Sequence, residues 1–441
     1  MRIEIKDKIN FIKMFNQLFE NKKIKDINAL TIDSRKVMKN DIFIPIIGTK
    51  YDGHRFIDSS FKNGAIACFS EKRNYAKNII NTSSNIKAIE LLAKSWGKIT
   101  KSKIIGITGS NGKTTTKDLL FHILSKKFKC SKTSGNYNSK IGLPLAFLNS
   151  KKNDEFCILE YGANKPNEIE YLCKLIKPDL GLITNISNAH IGNFPSIDEI
   201  IKTKSAIYKN LSNSDIAFVN NDDKNIKKIK LKSKKITFGF KNPSNILGEI
   251  KNQRIIKINN KDTILIPKSL FHIKENLLSV YTIANHLNIN IDDINEALNS
   301  FVLPQGRGRK IMLDEYQIID DSYNANPKSV KLAIERFESE TSIGGKKIFI
   351  FGDMLELGES TKKEHEAIGE ILNKSKIDII MTLGIFSKNT FDEITNNKIH
   401  KKHYYSINEL KNDFFNTVNK NDIVYLKGSR SMKLEQIYKK D

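Results

Sequence analysis

Long apolar runs are missing from this sequence. None approaches the ~18 residues of a membrane-spanning helix, which excludes a helical membrane protein. The opening, MRIEIKDKIN, alternates charged and apolar side chains like a strand and so reads as no signal peptide. Cysteine is sparse: Cys68, Cys130, Cys157 and Cys173 are dispersed and make no CxxC pair. They read as free thiols in a reducing cytoplasm. Acid is short too, with 49 Asp and Glu against 73 Lys and Arg, for a net charge of +24. So basic a balance raises the question of a nucleic-acid partner. Yet the lysines are spread over every segment, and no RNP, helix-turn-helix or zinc pattern accompanies them. We therefore expect no nucleic acid and no membrane insertion. The charge would still attract polyanionic small molecules such as nucleotides. There is no internal repeat and no long low-complexity linker. At 441 residues and 39% hydrophobic content the chain is an ordinary soluble protein with room for several domains.

What is present centres on residues 103–117, KIIGITGSNGKTTTK. Ile104, Ile105 and Ile107 read as a buried strand, and Leu119, Leu120, Ile123, Leu124 and Phe128 recur at helical spacing. Between them stand Gly106, Gly109 and Gly112, then Lys113, Thr114 and Thr115. Strand, glycine loop and helix together make a phosphate site. Glycines let backbone N–H groups close on phosphate oxygens, and the helix N-terminus adds positive potential. Lys113 can reach the β- and γ-phosphates, and the Thr114 hydroxyl can ligate Mg²⁺. The spacing departs from the common P-loop, whose first glycine position is held here by Ile107.

The rest of the chain reads as alternating strands and helices. Before the loop come strands at 29–32, 42–47 and 65–69, with turn clusters Asp33-Ser34-Arg35 and Tyr51-Asp52-Gly53-His54. Residues 87–98 form a helix with Ile89, Leu92, Ala93 and Trp96 on one face. From 103 to 303 the pattern is that of a doubly wound α/β domain. Its strand 156–159 ends in Glu160 and its strand 180–183 in Thr184-Asn185, with His190 in the following loop. Ligands in such sheets sit beyond the strands' carboxyl ends, so the glycine loop, Glu160 and His190 should share one crevice. Short strands within 215–266 extend that sheet as a hairpin. Strand and helix alternation restarts after 304–309, with strands at 317–319, 348–351, 377–383 and 423–426, and a helix faced by Val330, Ala333, Ile334 and Phe337. We expect an α/β protein of three domains. These are a small N-terminal substrate domain (1–85), a central P-loop ATPase domain (86–303) and a C-terminal Rossmann-like domain (304–441).

The glycine loop GITGSNGKTTT is similar to that of the Mur ligases and folylpolyglutamate synthases, which join a carboxylate to an amine. The strings SGNYNSKIGLPL (134–145), LEYGAN (159–164), TNISNAH (184–190), DDSYNANP (320–327), FGDMLELG (351–358) and LKGSRSMKLE (426–435) follow in order. Together they resemble the Mur ligase family along essentially the whole chain. DSYNANP and GDMLELG point to its branch that adds D-Ala-D-Ala to a UDP-N-acetylmuramoyl tripeptide. The resemblance implies ATP as co-substrate, two Mg²⁺ ions, small-molecule substrates only, and a cytoplasmic monomer. Gly109, Ser110, Asn111, Gly112, Lys113, Thr114 and Thr115 would hold the ATP phosphates. Thr114 and Glu160 would contact one Mg²⁺, with His190 near a second. Ser34 and Arg35 would meet the uridine, and Asn136 and Asn138 the sugar–diphosphate. Arg307, Asp321 and Asn324 would close over ATP. Lys427, Ser429 and Arg430 would lie where the dipeptide and the growing peptide meet. The family carries a carbamate on a lysine after the His, as a metal ligand. Lys204 fits best and Lys202 is the near alternative, although Ala206 stands where the branch often has Glu. The plain alternative is a solvated lysine. Asn276 matches the first asparagine of the family's adenine motif, while Ser279 replaces the second. A sister ligase, a nucleic-acid-stimulated ATPase and a non-catalytic UDP-sugar binder are the rival readings. Catalysis would rest on Lys113, Lys204 and His190.

Overall fold

Three sheets, each with its own helices, make up the computed structural model. It describes all residues except 21, 50, 74, 75, 77, 188–190, 253, 314, 343 and 439–441. The N-terminal sheet runs in the order Arg2–Glu4, Ala29–Thr31, Asp41–Phe43, Ala65–Ser70, Ile79–Asn81. Its first pair is antiparallel and the others are parallel. The strand expected over 42–47 stops at Phe43. Ile44 still donates its N–H to the Thr31 carbonyl at 2.8 Å, but Pro45 has no N–H to offer a ladder, and Ile47 instead makes an isolated bridge with Asp52.

Helix Asn85–Ile99 leads out of this sheet. Ser84 caps it by accepting from the Lys87 N–H, and the expected face of Ile89, Leu92, Ala93 and Trp96 is buried. Trp96 packs on Phe11 and donates its indole N–H to Ser150 Oγ at 2.9 Å. One hydrophobic core thereby runs from the N-terminal sheet onto a face of the central one. Each fully buried large apolar side chain there contributes about 1.5–3 kcal/mol.

The central sheet has nine strands, in the order Asp262–Leu265, Ile255–Ile258, Ile246–Lys251, Lys234–Gly239, Ile216–Asn220, Leu180–Ile183, Lys103–Thr108, Phe156–Glu160, Cys130–Lys132. The first three form the antiparallel extension expected within 215–266. The rest pair in parallel. Lys103–Thr108 lies between strands that leave it in opposite directions, and a crevice opens beyond its carboxyl end. The helix after it ends at Leu124, so Phe128 lies outside the helical run to which its spacing assigned it. It still packs, edge-on against Phe156 at 5.0 Å between ring centroids.

The C-terminal sheet runs Arg309–Leu313, Tyr316–Asp321, Ile423–Lys427, Lys347–Gly352, Ile379–Leu383, His400–Tyr404, antiparallel only at its first pair. Val330, Ala333, Ile334 and Phe337 bury one face of helix Pro327–Ser339 against it. The α/β class and the three-part architecture are those the sequence implied. All four cysteines are free, and no described helix is long and apolar enough to cross a membrane.

Candidate active site

The glycine loop is shaped by what touches it. Gly109 has φ +149°, and a Cβ there would sit 1.9 Å from Thr184 Oγ1. Gly112 has φ +80°, and a Cβ there would sit 2.4 Å from Asn276 Nδ2. Only glycine combines that backbone with that closeness. The neighbouring strand end then fixes the loop. Thr184 Oγ1 donates to the Asn111 carbonyl at 2.6 Å, and Asn185 Oδ1 accepts from the Asn111 N–H at 3.0 Å. From the other side Asn276 donates to the Gly112 carbonyl (3.3 Å) and to Thr116 Oγ1 (2.7 Å). Lys113 folds back on the loop, donating to the carbonyls of Gly109 (2.8 Å) and Ser110 (3.3 Å). Burial lowers its pKa, opposed by Glu160 and reinforced by Arg307.

Glu160 closes the crevice from the next strand. Its Oε2 accepts from Thr114 Oγ1 at 2.9 Å and its Oε1 from Asn138 Nδ2 at 2.7 Å, with the residue 1% exposed. Arg307 reaches in from the C-terminal unit. Its guanidinium stacks 3.6 Å over the Tyr323 ring and donates to Thr114 Oγ1 at 3.3 Å, while its buried Nε has no partner among the described residues. Asn326 arrives from the same side. A capping box at helix Pro327–Ser339 fixes its side chain, which donates to Asn111 Oδ1 at 2.7 Å. Such a cap is worth about 1 kcal/mol. Here it also aims a donor across the seam between two sheets.

These groups line a cavity of about 810 Å³. Residues 110–115, Asn136, Asn138, Glu160, Arg307, Asp321, Asn324, Lys427, Ser429 and Arg430 all face it. At one end Asp321 accepts from Lys427 Nζ at 2.7 Å, and Ser429 Oγ accepts from the Leu355 N–H at 2.9 Å. At another lie His272, Ile273 and Arg336. The His272 pKa is pushed well below its ordinary value by burial, then by Arg336 and Lys310.

Other expected residues do not line that cavity. Ser34 and Arg35 sit on a short 3₁₀ turn of the N-terminal unit, where exposed Arg35 pairs with Asp33 at 2.8 Å. Asn276 stands behind the glycine loop, and Ser279 Oγ turns back to the Asn276 carbonyl. Lys204 is 4% exposed on helix Ile197–Lys209 and donates to the Gly109 carbonyl at 3.2 Å, the same oxygen that Lys113 reaches. Lys202 on the same helix is exposed and paired with Glu199 at 3.0 Å. Burial, and then the Lys113 charge, push the Lys204 pKa well down. His190 lies outside the described residues.

Sequence reasoning missed Lys117, Asn326, His272 and Arg336. Asn326 was within reach, inside the DSYNANP string. His272 and Arg336 stand in no recognisable motif, and Lys117 is one lysine in a lysine-rich chain.

Comparison with known proteins agrees along the whole length. Residues 26–99 match the Mur ligase family catalytic domain, 107–288 the Mur ligase middle domain, and 306–430 the Mur ligase, glutamate ligase domain. The UDP-N-acetylmuramoyl-tripeptide–D-alanyl-D-alanine ligase of Buchnera aphidicola subsp. Baizongia pistaciae is 35% identical, over 93% of this chain and 91% of that one. The ligase of the same name from Bacillus subtilis is 30% identical, over 94% and 93%. Among solved structures, MurF from Acinetobacter baumannii superposes with a TM-score of 0.85 at 26% identity, covering 97% of each chain. MurF ligase from Thermotoga maritima in complex with ADP gives 0.77 at 28%, covering 92% and 95%. On the family models, and on a relative 35% identical along nine-tenths of its length, this chain belongs to the Mur ligase family.

Proposed function

We propose that the chain is an ATP-dependent amide ligase that adds D-Ala-D-Ala to a UDP-N-acetylmuramoyl tripeptide, a step of peptidoglycan precursor synthesis. The observation that carries this reading is the meeting of Lys113, Glu160 and Arg307 at one cavity, with Thr114 between the last two. A carboxylate is a poor acceptor for an amine because its oxygen is a poor leaving group. The terminal carboxylate of the tripeptide attacks the γ-phosphorus of ATP, giving an acyl phosphate and ADP. The amine of the dipeptide then attacks the acyl carbon, loses a proton, and phosphate leaves. Lys113 and Arg307 place positive charge on the γ-phosphate oxygens, and the unpartnered Arg307 Nε is a donor waiting for an anion. Closure of the C-terminal unit onto the loop keeps water from the acyl phosphate.

The donor set suits Mg²⁺. Thr114 and Glu160 offer hard oxygens beside the phosphate loop. Among the described residues no group of three or more His, Cys, Asp or Glu forms a cage. That fits an ion held by few side chains together with substrate phosphates. Thr114 and Glu160 would hold it, with His190 and a carbamate on Lys204 beside a second ion. Bound there, Mg²⁺ would neutralise phosphate charge and orient the transferring group. We further assign UDP recognition to residues 1–85, including Ser34 and Arg35, ATP binding to 86–303, and dipeptide binding to 304–441. Asn276 would contact the adenine. The working unit is taken as a cytoplasmic monomer.

Phosphate release with ATP and UDP-muramoyl tripeptide tests the reading. Sustained release is expected only when D-Ala-D-Ala is added. Turnover indifferent to the dipeptide would instead favour a sister ligase.

A further inference from the structure

Lys117 is fully buried, an unusual place for a strongly hydrated ammonium. It stands one helical turn after Lys113, but on the far side of Thr114 from the loop. Its Nζ donates to the carbonyls of Thr133 (2.7 Å) and Gly135 (2.8 Å), and lies 3.4 Å from Asp118 and 4.0 Å from Glu160 Oε2. Gly135 has φ +52° with nothing within 4 Å of where a Cβ would be. This glycine therefore serves the turn and not a close approach, and that turn presents its carbonyl to Lys117. Thr133 Oγ1 accepts from the Glu160 N–H at 3.0 Å, and Asn138 Nδ2 donates to Glu160 Oε1. A closed circuit results: helix, Lys117, the 133–138 segment, Asn138, Glu160, Thr114, and back to the helix.

We infer that Lys117 is a positioning residue that ties the 133–138 segment to the phosphate-loop helix, and so sets where Asn136 and Asn138 meet the muramoyl substrate relative to the γ-phosphate. It touches neither the cavity nor the reacting atoms, and it acts through the segment it holds. Naming the substrate rests on the ligase reading above; the tie itself does not. Were Lys117 only a filler of the core, its loss would affect both substrates and the global fold alike. As a tie it affects one segment and one substrate.

The test uses the full chain with Lys117→Met, which keeps the length and removes the charge and donors. Amide exchange should quicken in 133–138 and stay unchanged in 109–113, with ADP affinity within about twofold of wild type. In turnover, kcat/KM for the tripeptide substrate should fall about 10- to 100-fold, the scale of a small misplacement, while KM for ATP holds. Gly135→Ala, whose methyl group has room, should give the same signature through the turn alone. If Lys117→Met does not fold, Gly135→Ala decides. Unchanged exchange in 133–138, or equal losses for ATP and tripeptide, would overturn the assignment. A wild-type enzyme that ignores the tripeptide would overturn the ligase reading instead, and the exchange measurement would still judge the tie.

Discussion

Replacing Lys113 with alanine should lower kcat by roughly 10²–10³-fold, the scale seen when one preorganised donor to a developing charge is removed. The loss should fall on ADP release and leave the fold intact. Lys113 is only half-buried, and among the described residues it donates to loop carbonyls, Gly109 and Ser110. An anionic phosphate is a stronger acceptor than either carbonyl, so in the proposed role the amine would exchange them for the nucleotide. The shape of the loop does not depend on it. That shape comes from Thr184, Asn185 and Asn276, which hold the backbone of 111 and 112. The variant should therefore melt like the wild type and still bind the muramoyl substrate. Unchanged ADP release would mean that the phosphate loop is misassigned.

Lys204→Ala should be nearly as damaging, and short carboxylic acids should restore part of the activity. An ordinary lysine amine leaves roughly one molecule in a thousand neutral near pH 7.4, too few to react readily with CO₂. Here burial and the neighbouring Lys113 both favour the neutral amine. Carbamylation, as proposed, would put an anionic group beside Lys113 in place of that amine. Lys202, exposed and already paired with Glu199, has neither property. Lys202→Ala should leave the rate within about twofold, since exposed pairs of this kind are worth little. The expected checks are turnover with and without added acetate, and with CO₂ stripped from the buffer. Full activity of Lys204→Ala would remove the carbamate from the account.

How much of this could be read from residues alone depends on the distance over which each constraint acts. The glycine loop was legible because its chemistry is local. Close backbone approach demands glycine, and the flanking strand and helix are written in the adjacent residues. Glu160 was legible for a related reason, since strand ends in a doubly wound sheet point to one crevice. The meeting of Arg307 and Thr114 is different. It joins a helix of the central unit to a turn of the C-terminal one, and no periodicity records how two units dock. Nor does a short motif show direction. Asn276 was singled out by its motif, but its amide's hydrogen bonds to the Gly112 carbonyl and Thr116 Oγ1 are not written in that motif. Lys117 was illegible for a statistical reason, as one lysine among 73 basic residues whose burial only the tertiary structure reveals.

The central claim is that one cavity makes an inert carboxylate reactive by giving it a phosphoryl group. It is tested most directly by supplying the tripeptide substrate with heavy oxygen in its terminal carboxylate and analysing the products after ligation by mass spectrometry. One labelled oxygen should appear in the released inorganic phosphate and none in the nucleotide, with ADP as the nucleotide product. Label in AMP, or phosphate free of label, would contradict the account.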